Sequence, residues 1–384
     1  MEKVVTSELR LGIIAGGQLG KMLIQDASKW DVITYVLDPE ETCPAGSIAS
    51  HFTQGDYRDF DTVYRFGNQV DVLTYEIENI NVEALRALKA DGVQVVPDPE
   101  ILALIQDKGR QKDFVRDHGF PTAPFRLFDT TETIREALAR GDLALPFVQK
   151  LRRGGYDGRG VAVFRDSTDL EGLLEGPSLV EDRVDIHKEI AVIVARNGRD
   201  EVQCFPPVEM VFDPEANLVD RLICPSTLPA QVTTLAEGLA RDLIQALEMQ
   251  GLLAVEFFVD TQGRVLINEM SPRPHNSGHH TIEGVITSQF EQHLRAILNL
   301  PLGCTRIKLP AVMLNLLGEP GHEGPVRYEG LTESMAIEGV KVHLYGKKAT
   351  RPMRKMGHVT VLSEEMEDAL VKADRVKELI KVKS

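Results

Sequence analysis

Leu252-Leu-Ala-Val-Glu256-Phe-Phe-Val259, then Asp260-Thr-Gln-Gly263, then Val265-Leu-Ile-Asn268-Glu269 is the stretch on which the fold turns. Its two apolar runs read as β-strands joined by a glycine-containing loop of hairpin length. Counting back from that turn puts Glu256 within about one residue of facing Asn268 and Glu269 across the ladder. Two carboxylates about 5 Å apart repel by roughly 3 kcal/mol at an effective dielectric of about 20, so the pair is costly unless protonated, solvated or bridged by a cation. An oxygen-only set of Glu256, Asn268 and Glu269 suits Mg2+, which takes one or two carboxylates and completes its shell with phosphate oxygens and water. A solvated hairpin edge is the plain alternative. The chain then continues as Met270-Ser-Pro-Arg273-Pro-His275-Asn276-Ser-Gly-His279, a turn-rich connection holding an arginine and two histidines.

Length and charge bound the rest. A chain of 384 residues exceeds one compact domain and suggests two or three. The net charge of -15 argues against nucleic acid as the main partner, while leaving room for a local basic pocket that holds a small phosphorylated ligand. Cys43, Cys204, Cys224 and Cys304 are scattered with no C-x-x-C pair, which fits reduced thiols better than a disulfide frame or a zinc site. Met-Glu-Lys-Val-Val at the start lacks a signal-like apolar core, and no run approaches the ~20 apolar residues of a membrane span, so a cytoplasmic chain without membrane contact is expected.

Toward the N-terminus, Leu9-Arg-Leu-Gly-Ile-Ile14 runs into Ala15-Gly16-Gly17-Gln18-Leu19-Gly20 and a helix-like Lys21 to Ala27, a strand, glycine turn, helix unit. Further strands are read at Val32 to Leu37, Val70 to Tyr75 and Val93 to Val96. Alternating β and α patterns imply an open parallel sheet over roughly the first hundred residues. The glycine turn alone would also fit a dinucleotide-dependent dehydrogenase, although its G-x-G-x-x-G spacing is imperfect. Gln18 and Glu76 fall at carboxyl ends of strands, the edge where such sheets bind ligands; a local turn role serves Gln18 equally well.

The middle of the chain carries Lys108 ahead of a helical Asp113 to Arg116. Two strands, Pro146 to Leu151 and Val161 to Phe164, then frame Arg152-Arg-Gly-Gly155-Tyr156-Asp157-Gly158-Arg159-Gly160. A hairpin turn at Asp157-Gly158 explains one glycine. Four glycines and three arginines in nine residues are better explained by a flap over a polyphosphate, with backbone amides approaching closely and guanidinium groups adding charge-assisted bonds. Lys108 and Lys150 can reach phosphates as point charges, or be surface lysines. Ser178 to Val184 reads as a strand running into a connector whose backbone can read an adenine edge, with Glu189 beside the strand Ile190 to Ala195 placed for ribose hydroxyls. Lys347, Arg351, Arg354 and Lys355 form a basic stretch in an acidic protein, either a phosphate site or a solvated loop.

Gly16 to Gly20, Arg152 to Gly160, Asn268 to His279, and His343-Leu-Tyr-Gly-Lys347 through Arg354-Lys-Met-Gly-His358 together resemble the ATP-grasp superfamily, and within it the N5-carboxyaminoimidazole ribonucleotide synthetases of purine biosynthesis. The resemblance spans nearly the whole chain. It implies a mixed α/β and α+β protein: an ATP-grasp fold with an N-terminal open parallel α/β, pre-ATP-grasp domain (1–106), an ATP-grasp domain (107–304, flap subdomain about 122–184) and a small C-terminal β-rich domain (305–384). It also implies ATP-dependent carboxylation of 5-aminoimidazole ribonucleotide with bicarbonate through carboxyphosphate, by a homodimer with no nucleic-acid or membrane partner.

Carried over residue by residue, the resemblance gives ATP to Lys108, Lys150, Gly155, Tyr156, Asp157, Gly158, Arg159, Gly160, Val161, Glu181, Asp182, Arg183, Val184, Glu189, Asn268 and Glu269. Glu256 and Glu269 would bind Mg2+, with two ions expected and Mn2+ an acceptable substitute. Gln18, Leu19, Glu76, Tyr156, Asp157, Arg273, His275, Asn276, Lys347, Arg354 and Lys355 would contact the imidazole ribonucleotide or carboxyphosphate, with Arg273, His275, Lys347 and Tyr156 in catalytic roles. His275 suits a place beside an acyl phosphate because imidazole exchanges protons near neutral pH, though a buried, hydrogen-bonded histidine is the other reading. Two departures stand out: Phe212 replaces a histidine that many relatives place near the nucleotide, and Lys108 replaces an arginine of some relatives.

Rival readings are a formate-dependent glycinamide ribonucleotide formyltransferase, biotin carboxylase, a noncatalytic nucleotide-binding scaffold and the dehydrogenase. Asn276, His279 and His358 favour the carboxylating enzyme over the formyltransferase. The intact set of Glu256, Glu269, Lys150 and Arg273 argues against the scaffold.

Overall fold

A computed structural model describes residues 6–155, 160–213 and 218–384. At the N-terminus, five parallel strands pair in the order His51–Gln54, Ile33–Asp38, Arg10–Ile14, Val72–Tyr75, Gln94–Val95. All four expected strands agree to within two residues at each end, the fourth reduced to Gln94–Val95. The polar edge strand His51–Gln54 was not anticipated. Arg10–Ile14 sits where the strand order reverses, so the crevice of this sheet opens at the ends of Arg10–Ile14 and Val72–Tyr75. Helix Gln18–Ala27 buries Leu19, Met22, Leu23 and Ile24, and shares one core with Phe290, Leu294 and Ile297 of helix Gln289–Ile297. The N-terminal sheet is thereby keyed to the centre of the molecule.

A large antiparallel sheet follows, ordered Val265–Ser271, Gly251–Asp260, Ile186–Arg196, Val208–Phe212, Val219–Cys224, Ala311–Leu317, Lys355–Leu362, Val340–Leu344, with Val202–Cys204 added to Ile186–Arg196. Helix Ala230–Ala246 covers its core, where Phe257 is fully buried; removing one such ring from water contributes about 2 kcal/mol. The C-terminal strands thus extend the central sheet, while Val312, Met356, Val359 and helix Met366–Leu379 build their own hydrophobic cluster on it.

A separate four-stranded antiparallel sheet pairs Phe125–Phe128, Ser178–Asp182, Phe147–Leu151 and Val161–Phe164. Its last two strands form the expected hairpin around the arginine-glycine loop. Lys108 does not precede its helix but opens it: helix Lys108–Asp117 starts there, capped by Asp107, whose side chain accepts from the Gly109 and Arg110 amides. Among the described residues, no helix is long and apolar enough to cross a membrane.

Candidate active site

The hairpin register places Glu256 directly opposite Glu269, and a shift between Glu256 and Phe257 leaves Asn268 as an extra residue. The bulge lets neighbouring residues serve one site: Asn268 Oδ1 accepts from Lys150 Nζ at 2.8 Å, while Glu269 pairs with Lys108. Lys108, Lys150, Asn268 and Glu269 line one small cavity together with Gln111 and Lys112. Burial, then the neighbouring charges of Glu269 and Glu189, pushes the Glu256 carboxyl up to about 7. Burial also raises Glu269, but Lys108, Lys150 and Arg273 together outweigh it and hold that carboxyl below the usual range. Glu189, pushed up to about 7 by burial, shares the face of Glu256 because Ala191, two residues on, is the cross-strand partner of Glu256. Met210 is in turn the cross-strand partner of Glu189, which puts Phe212 on this face also. Among the described residues, no three histidine, cysteine or carboxylate side chains close into a metal cage. What stands here is an open, oxygen-donating pair carrying an excess of negative charge, the arrangement a hard cation with phosphate ligands relieves.

Glu181 takes a different part. Its carboxylate lies between Lys112 and Lys150 at 2.7 and 2.6 Å and is almost wholly buried. Asp182 donates its amide to Pro124, and Asp182 and Arg183 are exposed at the strand end where the connector to Val184 begins. The base of the arginine-glycine loop is tied to the helix of Lys108: Arg152 grips Asp107 through two bonds of 2.9 and 2.8 Å, and its carbonyl accepts from the Lys108 amide. Gly155, Gly160 and Val161 flank the loop, and Gly160 has a φ of 71° that favours glycine. Tyr156, Asp157, Gly158 and Arg159 lie outside the described residues.

The loop after the hairpin joins this cluster to the N-terminal sheet. Arg273 binds Glu78 Oε1 at 2.7 Å, and His275 Nε2 lies 3.6 Å from Glu256 Oε1. Beside them, Asn276 has a buried side-chain nitrogen without a hydrogen-bond partner among the described residues. Glu76 is buried at the end of its strand, where burial pushes its carboxyl up to about 7 despite the Gly17 amide that donates to it. The Gly16 amide donates to Asp38 at 2.7 Å. Both amides of the glycine turn are therefore filled by the chain's own carboxylates, and an anionic pyrophosphate there would meet negative charge; the dinucleotide reading fails on this point. Gln18 and Leu19 open the next helix, with Leu19 buried.

From the C-terminal side, Lys347 Nζ donates to the Lys355 carbonyl at 2.7 Å and lies over the Tyr345 ring, and Arg354 donates to the Ala349 carbonyl. Lys21 donates to the carbonyls of Leu344 and Tyr345, linking this loop to the helix of Gln18. His279 and His358 form an interior stack, rings 4.6 Å apart, that continues to His343. Burial holds both well below the ordinary histidine range, so they pack as neutral rings. Sequence reasoning missed Glu78, Lys112 and Gln289; their partners are set by tertiary contacts. Asp107, followed by a helix, carried a capping signal that was open to reading.

Comparisons with known proteins agree with this arrangement. The Ribonucleotide synthetase preATP-grasp domain family matches residues 9–106, the ATP-grasp domain family residues 113–290, and the Phosphoribosylaminoimidazole carboxylase C-terminal domain family residues 311–372. The N5-carboxyaminoimidazole ribonucleotide synthase of Bacillus subtilis is 36% identical over 92% of this chain and 91% of its own length. A chloroplastic phosphoribosylaminoimidazole carboxylase of Vigna aconitifolia is 37% identical over 94% of this chain, which spans 65% of that longer protein. Among solved structures, the N5-carboxyaminoimidazole ribonucleotide synthetase of Thermotoga maritima superimposes with a TM-score of 0.90 at 42% identity, covering 98% of this chain and 99% of that one. The Aspergillus clavatus N5-carboxyaminoimidazole synthase in complex with ADP and 5-aminoimidazole ribonucleotide gives 0.88 at 30%, covering 97% and 98%. The chain belongs to the N5-carboxyaminoimidazole ribonucleotide synthase family of ATP-grasp ligases.

Proposed function

We propose that this chain uses ATP to join bicarbonate to the N5 amine of 5-aminoimidazole ribonucleotide, as a cytoplasmic homodimer. The observation that carries the reading is the loop of Arg273 and His275, which touches Glu256 of the carboxylate cluster on one side and Glu78 at the crevice of the N-terminal sheet on the other. One loop meeting two sites is what transfer between a nucleotide and a second substrate requires.

In this reading Lys108, Lys150, the arginine-glycine loop, the connector 181–184 and Glu189 hold ATP. Glu256 and Glu269, with Asn268 beside them, fit Mg2+, which when bound neutralises phosphate charge. A bicarbonate oxygen attacks the γ-phosphorus, the bond to the bridging oxygen breaks, and ADP leaves as carboxyphosphate forms. The amine then takes the carboxyl carbon, directly or as CO2 released from carboxyphosphate; phosphate departs with the electron pair of the broken bond, and the amine gives up a proton. Arg273 and Lys347 supply positive charge for the anionic intermediate, and His275 takes the amine proton in this reading. Gln18, Leu19, Glu76, Asn276, Arg354 and Lys355 form the ribonucleotide side, to which the same reading assigns Tyr156 and Asp157. The domain divisions at 106/107 and 304/305 follow the same reading.

Phosphate release with ATP, Mg2+ and 5-aminoimidazole ribonucleotide, with bicarbonate supplied or stripped out, tests this beside a reaction with formate and glycinamide ribonucleotide. Bicarbonate-dependent carboxylated product is expected. Activity on formate alone would move the chain to the formyltransferases, and silence in both would leave a binding scaffold.

A further inference from the structure

Helix Gln289–Ile297 begins with a side chain that no part of the proposed chemistry uses. Gln289 is fully buried, and its amide grips the backbone of His275 from both ends. Oε1 accepts from the His275 amide at 2.8 Å and Nε2 donates to the His275 carbonyl at 2.7 Å. Turning the side-chain amide over would set donor against donor and acceptor against acceptor, so the pairing fixes one orientation. His275 has extended backbone angles, φ -131° and ψ 155°, yet lies beyond the end of strand Val265–Ser271. The glutamine side chain supplies the ladder that a neighbouring strand would otherwise provide.

Three further features fit this role. A Cβ at Gly278 would collide with the Gln289 side-chain amide and with Ile193, so glycine there is what lets the amide in. Thr281 Oγ1 accepts from the Gln289 backbone amide at 2.8 Å and donates to the Gly278 carbonyl at 2.6 Å, tying both ends of the loop to the helix start. The helix itself is anchored: Ser288 bonds Asp26 at 2.6 Å, and Phe290, Leu294 and Ile297 share the core of helix Gln18–Ala27. The imidazole of His275 is in turn held by Ser277 Oγ at 2.8 Å from Nδ1, leaving Nε2 toward Glu256.

We propose that Gln289 is a positioning residue that fixes the His275 backbone, and with it the reach of the Arg273 to Asn276 loop between the two substrates. The proposal rests on the functional reading above. It acts through His275 and leaves the nucleotide contacts alone, so its loss differs from a general loss of folded protein.

The test pairs Gln289→Met, which keeps volume and removes both bonds, with Gln289→Glu, which keeps the acceptor and removes the donor. Native-state amide exchange should show His275 losing protection in Gln289→Met, which removes its acceptor, and keeping it in Gln289→Glu, while amides of strand Gly251–Asp260 keep theirs in both. In turnover, kcat/KM for 5-aminoimidazole ribonucleotide should fall about 100-fold and carboxylated product per phosphate released should drop, with KM for ATP within about threefold of the parent. A merely structural role would lower the active fraction and leave KM values and the product ratio unchanged. Unchanged His275 exchange in Gln289→Met, or an unchanged product ratio, overturns the proposal. Should Gln289→Met not fold, Gln289→Glu, which breaks the bond to the His275 carbonyl, carries the turnover readouts, and an unchanged product ratio there overturns the proposal. His275→Ala with full coupling, alongside faster His275 exchange in Gln289→Met, would overturn the catalytic reading of His275 while leaving the clamp in place.

Discussion

Two lysine-carboxylate groups lie within a few residues of each other and do opposite things. In the first, one carboxylate meets two ammonium groups: Glu181 sits between Lys112 and Lys150, and Lys112 also bonds Thr122 Oγ1 and the Ile267 carbonyl. Burial alone would raise the Glu181 carboxyl, but Lys150 and Lys112 outweigh it and bring it down to about 2. In the second, Glu256, Glu269 and Glu189 crowd around Lys108 and Lys150, and the Glu256 carboxyl rises to about 7. The residue types are the same; the count of charges differs. A compensated buried group is scaffold, whereas an excess of carboxylate is charge that the proposed Mg2+ would neutralise.

The largest effect should come from breaking the compensated group. Glu181→Gln leaves two buried ammonium groups without their carboxylate and should destabilise the ligand-free protein by about 3–5 kcal/mol, read as a fall in the urea midpoint. A midpoint within error of the parent would show that Glu181 is not the counterion that holds this region.

Glu269→Gln should do the reverse. Lys108 and Glu269 are partly exposed, so stability should change by less than about 1 kcal/mol. Bicarbonate- and ribonucleotide-dependent phosphate release should nonetheless fall by about two to three orders of magnitude. Normal Mg2+-dependent turnover would remove Glu269 from the metal site and erase the contrast.

How much of this contrast could be read beforehand depended on distance along the chain. The Asp260 to Gly263 turn fixes the register of its own hairpin, so the opposition of Glu256 and Glu269 was legible, and even the one-residue uncertainty about Asn268 proved to be a real bulge. The parallel sheet was legible through its apolar strands, but His51–Gln54, polar and at the edge, carries no such signal. Lys112 looks like any helical surface lysine, because its partner Glu181 comes from a different sheet far along the chain. Gln289 gives no hint that it grips a loop fourteen residues earlier. His279 and His358 marked the family, yet only packing shows them as a neutral stack. The C-terminal strands read as a separate β-rich unit, because nothing local announces that Ala311–Leu317 pairs with Val219–Cys224.

The smallest effect is the sharpest on sign. The Glu256 and Glu189 carboxyls titrate near 7 in the folded chain, above the usual value of 4.5 taken for the unfolded one. Ionising them therefore costs the folded state, and this cost grows above pH 4.5 until it is complete above about pH 7. Without ligands, stability should rise as pH falls from about 8 to 6, by about 1 kcal/mol per group. Glu181 runs the other way: its contribution is complete above 4.5 and is lost only as pH falls toward 2. Melting temperatures of the parent and of Glu256→Gln across this range separate the two groups. The variant should show a smaller gain between pH 8 and 6 and the same loss in acid; superimposable profiles would mean that Glu256 is already relieved of its neighbours' charge.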